Sequence, residues 1–98
     1  MKQMSEGSET VTVRRLPDGH VQPARIETRE HHHLLIALAG EAAARGFEAG
    51  ALIEIQSAET IYLGTVLRQQ DSRLGISVEH AVNRAVLAEI EDAWRDPR

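Results

Sequence analysis

Between Gly50 and Val82 the chain alternates apolar and polar positions in short runs. Ala51 to Gln56 sets Leu52, Ile53 and Ile55 against Glu54 and Gln56, Ser57-Ala58-Glu59 is a polar turn, and Thr60 to Leu67 is a second, longer run. A period of two is the signature of strands with one buried and one wetted face. Gly64, inside the long run, would weaken a flat strand, so it marks a bulge or a bend where a small barrel turns a corner. Gln69 to Arg73 forms the next turn and Leu74 to Val78 returns, which completes an antiparallel meander.

Upstream, Thr10-Val11-Thr12-Val13 alternates in the same way and Leu16 continues it. Pro17-Asp18-Gly19 then supplies a fixed φ, a turn-forming carboxylate and a position that tolerates positive φ, which predicts a hairpin. The return strand, His20 to Glu27, contains Pro23, which places it at a sheet edge or gives it a bulge there. For Thr28 to Arg45 two readings stay open. Thr28 as a cap, apolar Leu34, Leu35, Leu38 and Ala42, and Gly46 as the closing residue favour a helix, whereas His33 to Leu38 is also a continuous run that suits a buried strand. The helix is the preferred reading for 32–38, and Ala39 to Arg45 is helical on both. From Glu79 the period changes: Val82, Val86, Ile90 and Ala93, with Leu87 and Trp94 beside them, make one apolar stripe of an amphipathic helix that Asp96-Pro97 ends.

A chain of 98 residues supports one core, with residues 1–8 expected to be a frayed tail and 9–98 a single domain. The formal charge of −4 argues against a general phosphate-backbone binder while leaving room for a local basic patch, and Phe47, Tyr62 and Trp94 are too few aromatics for base-stacking platforms, so neither DNA nor RNA is an expected partner. With no cysteine, disulfides, thiolate metal sites and thiol nucleophiles are excluded. No apolar run is long enough for a membrane helix and the first residues do not form a signal peptide, so the expectation is a cytoplasmic chain that does not engage a membrane.

Five strand candidates and a helix predict a mainly β fold, a small twisted antiparallel barrel or partly open sheet with a C-terminal amphipathic helix. The stretches GHVQPARIET, FEAGALIEIQ, IYLGTVLRQ and RLGISVEHAV resemble the PilZ domain, over roughly Arg14 to Val82. That resemblance implies a bacterial, six-stranded split barrel, and in many members of the family a cyclic diguanylate site built from an R-x-x-x-R motif and a D/N-x-S-x-x-G turn. Here the second motif falls on Glu27 to His33, without its serine or its glycine, and Arg25-Ile26-Glu27-Thr28-Arg29 has the arginine spacing after the first strand pair instead of before it. The likeness is therefore to a degenerate member.

The candidate chemistry is sparse. His31-His32-His33 invites a metal, but three consecutive residues point in different directions and would need His20, His80 or Glu30 to close a site, so a solvated cluster and no metal or other cofactor is expected. Asp71-Ser72 with His80 could be drawn as a nucleophile, an orienter and a base, yet no strained nucleophile turn accompanies them, and turn chemistry explains the pair. The expected function is a non-catalytic regulatory or binding module working through protein contacts or self-association; Trp94 reads first as the end of the helix stripe packed on the sheet, and Trp94 and Ile90 are the candidate partner-binding residues. The alternative is a cyclic-dinucleotide sensor using Arg14, Arg15, Arg25 and Arg29, since arginine both pairs with phosphate and stacks on bases. A small hydrolytic enzyme ranks last.

Overall fold

The computed structural model describes residues 9–16 and 18–95. The expected tail 1–8, Pro17 and the Asp96-Pro97 stop lie outside the described residues. Six strands and two helices follow in order: β1 (Glu9–Arg15), β2 (Val21–Glu30), β3 (His33–Leu38), α1 (Glu41–Ala44), β4 (Leu52–Gln56), β5 (Thr60–Gln70), β6 (Arg73–Asn83) and α2 (Arg84–Arg95). The strands pair antiparallel around a closed ring in the order β1-β2-β3-β6-β5-β4, and β1 meets β4 to complete it through pairs such as Val13 with Ile55.

Alternation sets the interior. Val11 and Val13, Ala24 and Ile26, Leu34, Ile36 and Leu38, Ile53 and Ile55, Val66, and Leu74 and Ile76 all point into one core, each at 7% exposure or less. At one end Phe47 and Ala44, both fully buried, plug the ring from the α1 segment, and the His20 ring packs 5.6 Å from that of Phe47. Removing so large a side chain from a closed interior leaves a void that the surrounding strands cannot fill.

Four expectations need correction. The preferred helix over 32–38 is strand β3, hydrogen-bonded between β2 and β6. A helix there would leave backbone groups on both neighbours unpaired and open the ring, and that tertiary demand outweighs local periodicity. Only Glu41–Ala44 is helical in the following segment, after an extended Gly40. Pro23 does not sit on an edge strand, because β2 has a neighbour on each side. It pairs with Thr12 on β1 and lies just beyond Ala24, where the ladder to β3 ends, while the β2 bulge falls at Glu27, between Ile26 and Thr28. Finally, helix does not begin near Glu79. Pairs from Leu63 with His80 to Thr60 with Asn83 carry β6 onward, and Asn83 Oδ1 then accepts the Ala85 N–H at 2.8 Å to cap α2.

Gly64 is where the barrel bends. Register shifts there, between Leu63 and Gly64, and a Cβ at Gly64 would lie 2.3 Å from the Ser77 carbonyl oxygen. By contrast a Cβ at Gly75 meets only the flexible Arg68 Cγ, at 3.4 Å. Gly64→Ala is expected to lower unfolding free energy by roughly 1–3 kcal/mol, and Gly75→Ala to change it much less. Denaturant titration of the two variants beside the parent chain measures both.

Candidate functional site

The four arginines singled out from the sequence are spread around the ring, and each is held by a carboxylate. Arg14 donates to Glu54 at 2.9 Å from Nε, Arg15 to Asp18 at 3.0 Å, and Arg29 to Glu9 at 2.5 Å, while Arg25 stands 4.0 Å from Glu27. Glu27 also accepts from Arg73 at 2.8 Å, which raises the Arg73 pKa. Arg14 faces Val21 across the β1–β2 ladder and Arg25 faces Thr10, four positions along β1 and about 13 Å away at strand rise. The structure therefore does not gather these four side chains at one point.

Arg29 is nevertheless placed in an informative way. The bulge at Glu27 turns the end of β2, so that Arg29 comes opposite the inward-facing Leu34, and its guanidinium lies 6.0 Å from the centroid of Tyr62. Arg29, Tyr62, His31, His32, Glu79 and His80 border a hollow of about 280 Å³ at the mouth opposite Phe47. His31 and His32 form the two-residue loop between β2 and β3, with His31 at φ 48°, and His33 begins β3. Among the described residues no three histidine, aspartate or glutamate side chains are grouped to hold a metal ion. Asp71 and Ser72 form the equivalent loop between β5 and β6, with Asp71 at φ 55°, at the other end of β6 from His80.

Two apolar surfaces remain on the outside. A cross-strand row runs Thr28, Leu35, Gly75, Arg68 over β2, β3, β6 and β5. Because Gly75 has no side chain, the row is hollowed into a groove of about 330 Å³ that Leu35, Arg68 and Arg73 border, continuous with a second of about 180 Å³ beside Leu67. Leu67 is the extra residue of a second bulge, between Val66 and Arg68, and is 52% exposed. Sequence reading passed over this groove. Its traces were the adjacent Val66-Leu67, which break the alternation, and Gly75 inside a short strand.

The other surface is α2, which packs mainly on β6, while Arg84 at its start donates to the Glu59 and Ser57 carbonyls of the β4–β5 turn, both at 2.8 Å. Of its stripe, Val86 is 49% and Ile90 48% exposed and Leu87 is half-buried, so this face is not folded onto the core. The Trp94 side chain lies outside the described residues. Val82, assigned to the stripe from sequence, belongs to β6, where it pairs with Ile61.

In comparisons with known proteins, no family model, no curated protein and no solved structure matches this chain. What stands is a small six-stranded antiparallel barrel carrying a C-terminal helix.

The Arg15–Asp18 pair in the first hairpin gives a pH signature. The Arg15 hydrogen bond, followed by the His20 N–H, lowers the Asp18 pKa from 3.8 to about 2. Since the folded value is depressed, the stabilisation is full above the unfolded value and is lost as pH falls towards the folded one. Thermal unfolding of Asp18→Asn beside the parent chain is expected to show a difference that is constant above about pH 4 and closes between about pH 4 and pH 2.

Proposed function

We propose that this chain is a non-catalytic contact module of PilZ-like architecture that acts by presenting the apolar face of α2 to another protein. The observation that carries this reading is the exposure of Val86 and Ile90 at 49% and 48% on a helix held to the barrel chiefly at its first turn, by β6 and the β4–β5 turn. An amphipathic helix gains its stability by burying its apolar stripe, so a stripe left half in water is a surface awaiting cover. The barrel interior supports the same view, being filled by hydrocarbon side chains that leave substrate chemistry only the outer walls. The PilZ-like part of the proposal rests on the quoted stretches and on the agreement between six antiparallel strands and the barrel they imply.

The cyclic-dinucleotide alternative draws support from one observation, the Arg29 guanidinium over Tyr62 in a hollow that three histidines border. Against it, Arg14, Arg15, Arg25 and Arg29 are already matched to carboxylates, which a phosphate would have to displace.

A photo-crosslinking side chain at position 90, introduced into the chain in its own cells, is expected to form protein adducts. The same group at Ala88, on the far side of the helix, is expected to form few. Equal capture from both positions, or none from position 90, would end the contact reading. In a parallel calorimetric titration cyclic diguanylate at about 100 µM is expected to give no heat, and a saturable signal lost in Arg29→Ala would favour the sensor instead.

A further inference from the structure

The α2 stripe and the outer groove match each other in chemistry, and the chain's own geometry keeps them apart. On the helix, Glu89 borders the stripe formed by Val86, Ile90 and Ala93, and it has no ion pair among the described residues. In the groove, Leu35 and the half-exposed Leu67 lie beside Arg68, which is held only by Gln70 at 3.3 Å, a neutral partner, while Asp71 lines the first hollow and Glu30 the second. An apolar stripe edged by a free carboxylate thus fits an apolar wall on which Arg68, unlike Arg73 with its Glu27 partner, has no ion pair among the described residues.

Within one molecule the two cannot meet. Gly75, at the floor of the groove, and Arg84, the first residue of α2, are separated by nearly the whole of β6, about 30 Å at strand rise. The twelve residues of α2 extend only about 18 Å, and Ile90 lies about half-way along them. A helix folded back along its own strand would leave Ile90 well short of Leu67. An α2 helix lying in this groove would therefore come from another molecule.

We infer that the groove's occupant is α2 of a second copy of this chain, and that two copies exchange helices about a two-fold axis, each helix lying in its partner's Leu35–Gly75–Leu67 groove with Glu89 beside Arg68. This rests on the contact-module reading and names its partner. A two-fold arrangement uses both surfaces twice, so neither is left over and the assembly closes at two. One helix about 18 Å long and 10 Å wide covers roughly 200 Å² of wall. Two such contacts still fall short of the roughly 800 Å² per partner of a stable interface. The dimer is accordingly weak and concentration-dependent.

Sedimentation velocity over about 5 to 500 µM tests this, a range set by the weak affinity of a small interface. The parent chain is expected to shift from monomer to dimer, and Ile90→Asp to stay monomeric. Arg68→Glu and Glu89→Arg, both at exposed positions, should each weaken the dimer at least about tenfold, and the combined Arg68→Glu/Glu89→Arg variant should recover most of the loss. Far-ultraviolet circular dichroism checks that each variant is folded. A parent chain monomeric throughout overturns the inference. So does a dimer that Ile90→Asp abolishes but Arg68→Glu leaves unchanged, which would mean helix pairing with helix, and so does failure of the charge exchange to rescue. A monomer whose position-90 crosslinker still captures another protein loses the helix exchange and keeps the contact reading, whereas a monomer that captures nothing loses both.

Discussion

Pairing of β1 with β4 is the contact on which this molecule depends, because it converts a six-stranded sheet with two raw edges into a ring with none. Once the ring is closed, every strand has one face in a common interior, and the alternating valines, leucines and isoleucines are removed from water together. Closure also explains β3. Its six residues bridge β2 to β6, and no helix could satisfy the backbone donors and acceptors of both neighbours at once. The plug formed by Phe47 then closes one end of a barrel too narrow for anything but side chains, and the other mouth keeps the hollow beside Arg29 and Tyr62.

A small closed ring needs sharp local bends, and the bulges provide them. At Gly64 the bend brings β5 so near the Ser77 carbonyl that no side chain fits. At Glu27 the extra residue carries Arg29 onto the inward side of the mouth, and at Leu67 it pushes a large apolar side chain into water. Two of the three bulges thus create surface features as by-products of curvature: a cation over an aromatic ring at one mouth and an apolar knob beside a groove on the wall. The same architecture that makes the interior inert moves everything with recognition value to the outside.

The electrostatics follow a similar division. Six ion pairs among the described residues tie the arginines of the outer wall to nearby carboxylates, which spends most of their charge locally. Exposed pairs of this kind add little stability each, yet they decide which arginines remain available to a partner. Arg68 is the exception on the wall, and Glu89 is its counterpart on α2. On the contact-module reading proposed above, unspent groups of this kind matter more than total charge.

Much of the fold was legible from residue order alone. The β4–β5–β6 meander, the first hairpin with its Asp18-Gly19 turn, the bend at Gly64 and the amphipathic last helix follow from period, turn chemistry and the room a glycine leaves, all of which act over a few residues. Ile90 could be picked out for the same reason, since its place on the helix stripe is local. Only tertiary structure decided that His33 to Leu38 is a strand, that β6 continues to Asn83, that Pro23 lies where a ladder ends and not on an edge, and that the four arginines stand apart. Each of these depends on which distant segment supplies the partner for a backbone or a charge. The groove at Leu35, Gly75 and Leu67 belongs to the same class, because its three residues come from three strands and share a surface only once the ring has closed.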